Sequence, residues 1–99
     1  MNRVIILGQL VQVEKFNFGN EGKTGAKVLL QLRERVYKDK EWQEIPMAVE
    51  VTLFGRLVEE VENAKAGAWV AIEGKVKSNP SMNQDKWYTS VIGDSVKIL

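Results

Sequence analysis

Alternation of apolar and polar side chains across residues 26–37 constrains this chain more than any other feature of its sequence. One side of the segment carries Ala26, Val28, Leu30, Leu32 and Val36. The other side carries Lys27, Leu29, Gln31, Arg33, Arg35 and Tyr37. Because successive side chains of a strand point to opposite faces, this period of two predicts a strand with one face toward a core and the other toward a polar partner.

The remaining segments predict four more strands and one helix. The strands are expected at residues 4–16, 42–54, 69–77 and 87–99. On the third strand we expect one side to face the core, namely Met47, Val49, Val51 and Leu53. Residues 56–65 change to helical spacing, and Gly67 is expected to cap the end of that helix. This order predicts an all-β OB-fold, a five-stranded Greek-key barrel with a helix between strands three and four, although other small β-barrels share the pattern.

Length and composition exclude several classes of protein. Ninety-nine residues, 44% of them hydrophobic, suit one packed domain spanning residues 1–99. The sequence has no cysteine and no histidine, which removes thiolate nucleophiles, imidazole bases and the usual zinc ligands. No Walker loop and no paired carboxylates at catalytic spacing are visible. We therefore expect a protein that is not an enzyme and has no cofactor. With no apolar run of spanning length and no signal peptide, we expect it in the cytoplasm, without a membrane partner.

Formal net charge is only +1, which by itself argues against a nucleic-acid-binding domain. The charges are nevertheless segregated along the chain. Glu59, Glu60 and Glu62 crowd one short segment, and another is rich in cations, with Lys27, Arg33, Arg35, Lys38 and Lys40. A basic surface is compatible with this nearly neutral total.

The chain resembles the bacterial-type single-stranded DNA-binding proteins nearly from end to end. Besides the alternating strand, four segments carry the resemblance in order: residues 2–10 (NRVIILGQL), 49–57 (VEVTLFGRL), 66–76 (AGAWVAIEGKV) and 85–91 (DKWYTSV). Each is weak alone, and their order and spacing make the signal strong. The resemblance implies an OB-fold that binds single-stranded DNA during replication, recombination or repair. It also implies a homotetramer, with a dimer as second choice, that pairs through the first strand.

Single-stranded DNA requires cations along its backbone and flat apolar faces for its bases. As phosphate contacts the sequence offers Lys27, Arg33, Arg35, Lys75 and Lys77, with a solvated surface as the alternative for each. As stacking residues it offers Tyr37, Trp42 and Phe54. The resemblance implies stacking for Phe54, since the family carries a stacking aromatic at that position; packing in the core is the alternative. For Trp42 the alternative is a cap over the barrel rim.

The chain departs from the family at its other aromatic positions. Val36, Ala48 and the segment 80–82 stand where tryptophans are typical, and Glu50 stands where a basic residue is common. Trp69 suits core packing, an interface or DNA contact, and Trp87 suits structural packing. The family also carries a disordered acidic tail that recruits replication proteins. Because the sequence stops at Leu99, we expect either a removed tail or a tailless member of phage, plasmid or primosomal type. We expect a viral member in the host cytoplasm and a cellular member in the cytoplasm, associated with the nucleoid.

Two other functions stay open at this point. The first is an adaptor OB-fold that acts mainly through contacts with other replication proteins and binds DNA weakly; the absent tryptophans and low net charge favour it. The second is an RNA-binding OB-fold of cold-shock type, which the motif order and the predicted helix disfavour.

Overall fold

Five strands and one short helix follow one another in the order that the sequence predicts. The computed structural model describes residues 1–80 and 86–99. Its elements are β1 (Val4–Phe18), β2 (Lys23–Lys38), β3 (Glu41–Phe54), α1 (Arg56–Val61), β4 (Trp69–Pro80) and β5 (Trp87–Ile98). Within the described part of the chain, no helix has the length and apolar character needed to cross a membrane.

The strands close into a barrel in the order β1-β2-β3-β5-β4, with β4 returning to β1. Closure depends on β1, which pairs with β4 through its first half and with β2 through its second half. Gln9 belongs to both ladders, since it lies opposite Trp69 on β4 and Gln31 on β2. The register shifts between Leu10 and Gln12, so Val11 is an extra residue that bends the strand. This closed barrel with one short helix confirms the predicted OB-fold.

The core consists of the inward side chains of the alternating strands. Val28 and Leu30 of β2 and Val51 and Leu53 of β3 are fully buried, as the alternation predicts. Ile72 of β4 joins them, and α1 adds Val58 and Val61. Burying an aliphatic side chain of this size contributes roughly 1.5–3 kcal/mol, so these alternating positions stabilise the barrel and thereby fix which side chains point outward.

Beyond the barrel, β2 and β3 continue as a two-stranded projection, the hairpin arm (residues 32–47). The pairing of β1 with β2 ends at Gln31, while β2 and β3 stay paired as far as Lys38 and Glu41. The prediction that Val36 and Met47 face the core is therefore wrong: their exposures are 38% and 47%. Both lie on the inward side of their strands, but the arm has left the barrel and no core lies beneath them.

A two-residue turn ends the hairpin arm. Lys38 pairs with Glu41, and the residues between them, Asp39 and Lys40, have φ values of 54° and 67°. Positive φ at both central positions is the requirement of a type I′ turn, whose twist matches that of the flanking strands. The turn fixes the register of the whole arm and sets Tyr37 directly opposite Trp42.

The helix is shorter than predicted, and Gly67 is not its cap. It ends at Val61, where the N–H of Glu62 makes the last helical hydrogen bond to the carbonyl of Val58. The chain then turns back toward β1, and Gly67, with φ of 91°, donates its N–H to the carbonyl of Leu10 at 2.7 Å. Because residues 67 and 68 extend the pairing between β1 and β4, they cannot belong to a helix.

Candidate nucleic-acid interface

The outward residues of β2 and β3 form one continuous surface, the β2–β3 face. Directly opposed residues of an antiparallel pair point to the same side of a sheet. The opposed outward pairs are Lys27–Thr52, Leu29–Glu50, Gln31–Ala48, Arg33–Pro46, Arg35–Glu44 and Tyr37–Trp42. Together with Phe54, which lies opposite Gly25 at the inner end of the face, six of the residues nominated from the sequence lie here, all of them exposed: Lys27, Arg33, Arg35, Tyr37, Trp42 and Phe54.

Two aromatic rings stand at the outer end of the face, next to the turn; we call Tyr37 and Trp42 the aromatic tip. Their ring centroids are 5.4 Å apart, and the side chains are 61% and 62% exposed. The guanidinium of Arg35 lies over the indole of Trp42, with Cζ 5.2 Å from the ring centroid. This cation–π contact, worth roughly 0.5–1 kcal/mol at an exposed site, holds Trp42 against its own arm rather than over the barrel rim.

Three further rings stand at the inner end of the face; Phe16, Phe18 and Phe54 form the phenylalanine cluster. Phe54 points outward as predicted, and its centroid lies 5.3 Å from that of Phe18 and 6.3 Å from that of Phe16. Phe18 and Phe54 are 37% and 41% exposed, whereas Phe16 is half-buried. The core alternative for Phe54 is excluded, because its neighbours are rings outside the barrel.

Gly25 makes room for this cluster. It lies between Phe16 on β1 and Phe54 on β3 in one cross-strand row. A Cβ placed on Gly25 would lie 2.4 Å from Cζ of Phe16, so the phenyl ring occupies the space above the glycine. The three glycines in residues 18–25 predict a turn or loop from the sequence alone, so neither Phe16 nor Phe18 is among the stacking residues nominated above. Their spacing of two, continuing from Gln12 and Glu14, is the signal that places both on the outward side.

The aromatic tip and the phenylalanine cluster mark the two ends of one strand face. On β2, Gly25 lies beside the cluster and Tyr37 lies at the tip. These two residues are an even number of positions apart, so both lie on the same side of the strand. At about 3.3 Å per residue, β2 covers about 40 Å between the two groups. Lys27, Arg33 and Arg35 lie along this length.

Carboxylates interrupt the basic character of the face. Glu14 lies opposite Lys27, Glu50 opposite Leu29 and Glu44 opposite Arg35. The Oε2 atom of Glu44 also lies 3.8 Å from Nη1 of Arg33, with both side chains more than half exposed. An exposed ion pair at this separation contributes little to folding, but it partly neutralises the arginine. The β2–β3 face is mixed in charge, with its cations spread between two aromatic ends.

Lys75 and Lys77 lie farther round the barrel wall, on β4. One row across the sheet joins Lys27 to Thr52, Thr52 to Ile92 of β5, and Ile92 to Lys75. Three inter-strand spacings of about 4.8 Å put Lys75 roughly 14 Å from Lys27 along the surface. Lys77 is one step farther out, opposite Ser90. The structure does not bring these two lysines onto the β2–β3 face.

The remaining tryptophans are separate from this face. Trp69 is 50% exposed on the wall formed by β1 and β4, opposite Gln9. It therefore does not pack in the core. The side chain of Trp87, expected to pack structurally, and residues 81 and 82, within the family's third aromatic region, lie outside what the structure describes.

Comparison with known proteins decides the family. The model of the single-strand binding protein family matches residues 1–99. The chain belongs to this family. Among solved structures, two forms of the Thermus aquaticus single-stranded DNA-binding protein, a deletion mutant and the wild type, superpose with TM-scores of 0.85 and 0.83 at 18% identity. Each comparison covers 100% of this chain and 50% of the Thermus chain, so the chain spans half the length of those relatives.

A Plasmodium falciparum single-strand binding protein, solved in complex with single-stranded DNA, has a TM-score of 0.79 at 16% identity. That comparison covers 100% of this chain and 95% of the Plasmodium chain. A comparison with curated proteins finds no match. At these identities the structural likeness establishes the fold, and the match to the family model establishes the family.

The phenylalanine cluster predicts a specific coupling between Gly25 and Phe16. Gly25→Ala should lower the free energy of unfolding by about 1–3 kcal/mol, because the new methyl group displaces the phenyl ring. In a Phe16→Ala background the same substitution should instead stabilise the protein by about 0.5–1 kcal/mol, because alanine has less conformational freedom to lose than glycine. Urea unfolding of the four proteins in this double-mutant cycle measures the coupling. Additive effects would contradict the described position of the ring.

Proposed function

We propose that residues 1–99 act as one OB-fold domain that binds single-stranded DNA with little sequence preference. The observation that carries the proposal is the β2–β3 face, where exposed cations lie between two groups of exposed aromatic rings. Membership of the single-strand binding family supports it, as does the strand-2-and-3 surface that OB-folds use for oligonucleotides. The fold is also shared with the Plasmodium protein that was solved with single-stranded DNA. Binding would protect unpaired strands during replication, recombination or repair in the cytoplasm.

Each nominated residue has a role in this proposal. Arg33, Arg35 and Lys27 contact phosphates along the β2–β3 face. Lys75 and Lys77 contact phosphates where the bound DNA continues round the barrel wall. Tyr37, Trp42 and Phe54 stack on bases, a contact worth roughly 1–3 kcal/mol per base that tolerates any sequence because every base has a π face. The protein needs no catalytic group or cofactor for this function.

A titration with a short oligothymidine tests the proposal. Binding should quench tryptophan fluorescence, because Trp42 stands exposed in the aromatic tip. The dependence of log affinity on log salt should approach a slope of about −3.5 if all five nominated cations neutralise a phosphate, at about 0.7 for each. Duplex DNA of equal length is the control and should bind much more weakly. A flat salt response would exclude the phosphate contacts.

The carboxylates of the β2–β3 face give a second prediction. Glu44→Gln removes the partner of Arg33 and should tighten binding of the oligothymidine up to about fivefold at low salt, since an exposed charge at about 4 Å is worth roughly 1 kcal/mol. Glu60→Gln, at an exposed position of α1, makes the same change of charge away from the face and serves as the matched control. Equal effects of the two substitutions would show that only net charge matters.

Self-association is the second part of the proposal, with a homotetramer preferred over a dimer. The long apolar segment 4–13 predicts an open edge along the first strand, but β1 is paired with β4 or β2 over nearly its whole length. Support comes instead from its outward side chains: Ile5 and Leu7 are 72% and 51% exposed and share the wall with Trp69. A groove between this wall and the hairpin arm is lined by Leu7, Leu32 and Trp69 together with polar and charged side chains of β1, β2 and β3. Exposed apolar side chains gathered on one wall, as Ile5, Leu7 and Trp69 are, are typical of an interface.

Light scattering over a range of concentrations measures this association. We expect a mass near four chains, and Leu7→Glu should shift it toward the monomer because it places a charge within the apolar wall. Glu59→Gln, at an exposed position of α1 away from this wall, changes the charge by one unit and should leave the assembly intact. A stable monomer of the unaltered protein would exclude the proposed tetramer.

An adaptor function with weak DNA binding remains the second candidate. The specific observation in its favour is the mixed charge of the β2–β3 face, where Glu14, Glu44 and Glu50 stand among the cations. Capture of a replication protein by this domain without DNA, together with no response in the oligothymidine titration, would support the adaptor in place of the DNA binder.

A further inference from the structure

The phenylalanine cluster exposes apolar ring surface to water, and these rings lie outside the core that stabilises the fold. Its three members lie outside the buried core, on the opposite side of β1 from Val13 and on the opposite side of β3 from Val51. Phe18 and Phe54 remain more than a third exposed although their rings touch. Contiguous exposed aromatic surface is typical of a binding surface.

The position of the cluster indicates what it binds. Phe18 is the last residue of β1, directly before the connection between β1 and β2, and that connection is one of the two that flank the binding cleft of OB-folds. Its cross-strand partner is Lys23, an exposed cation on the same side of the sheet. A ring beside a cation at the end of the β2–β3 face matches the requirement of one nucleotide, a base to stack and a phosphate to neutralise.

The geometry of the rings is also suited to bases. Phe18 and Phe54 meet edge to face, with 75° between their planes. The two rings therefore do not stack on each other, and their faces point in different directions. Phe16 lies over Gly25 and packs against both of these rings, with its ring centroid 6.1 Å from that of Phe18 and 6.3 Å from that of Phe54. It therefore helps to hold the pair in place.

We infer that Phe18 is a second base-stacking residue at the inner end of the β2–β3 face, and that it takes the nucleotide next to the one on Phe54. This inference rests on the proposed binding of single-stranded DNA. Because the two ring planes are steeply inclined, the two bases cannot stay stacked on each other. The bound DNA strand therefore turns where it leaves the β2–β3 face, and Lys23 lies beside the phosphate at that turn.

Phe18→Leu tests the inference, since leucine keeps apolar cover over the cluster but offers no π face. Affinity for the oligothymidine should fall about 5- to 150-fold, the loss of one stacked base. The slope with salt should stay unchanged because no phosphate contact is removed. Phe18→Tyr should restore affinity to within about twofold of the unaltered protein. Asn17→Ala, on the neighbouring exposed residue of the opposite side, is the matched control and should have no effect.

A DNA strand without bases distinguishes the loss of a stacking contact from a general loss of protein structure. With an abasic deoxyribose-phosphate oligomer of the same length, Phe18→Leu and the unaltered protein should bind equally. As a further readout that does not depend on a weakened variant, Phe18→Trp should add fluorescence quenching on binding beyond that of the unaltered protein.

The outcomes distinguish the inference from the function on which it rests. If the unaltered protein does not bind oligothymidine, the proposed function fails. If it binds, and Phe18→Leu binds as tightly while Phe18→Trp adds no quenching, the proposed function stands and Phe18 is not a stacking residue. An equal loss of affinity for the abasic strand would also overturn the inference, because the lost contact would not be with a base.

Discussion

The division of β1 between two neighbours is the interaction on which the rest of the structure depends. The five strands bury an apolar face without leaving an open sheet only if the first and fourth meet, and β1 allows this by pairing first with β4 and then with β2. Val11, the extra residue in the ladder, supplies the bend. Because β1 leaves β2 at Gln31, β2 and β3 are free to project, and the aromatic tip stands well away from the barrel.

Much of this was accessible from the sequence because alternation is a local rule and the order of the elements is that of the OB-fold. The period of two across residues 26–37 placed Lys27, Arg33, Arg35 and Tyr37 on one side, and the structure has them there. The same rule failed for Val36 and Met47, because alternation tells which side of a strand a residue occupies and not whether a core lies on that side. Where a strand leaves the barrel is a property of the pairing of its neighbours.

The phenylalanine cluster was missed for a different reason. The glycines at positions 19, 22 and 25 suggested a long loop, but only the residues between β1 and β2 turn, and Gly25 sits in regular pairing as the place where Phe16 lies. A glycine in a strand often marks a site where another group approaches closely, and here that group is the ring of Phe16. That approach depends on how β1 and β2 are paired, which the glycine content alone does not show; the glycines by themselves indicate a flexible loop. The pairing of Glu44 with Arg33 likewise depends on the register set by the turn at Asp39 and Lys40.

That turn also makes the hairpin arm a unit whose length can change independently of the barrel. A turn of two residues keeps the strands in step, so adding two residues to each strand leaves every side chain on its original face and lengthens the arm by about 7 Å. Adding a single residue to each strand reverses the sides of everything beyond it, including the aromatic tip. Relatives with arms of different reach are therefore expected to differ by even numbers of residues in each strand.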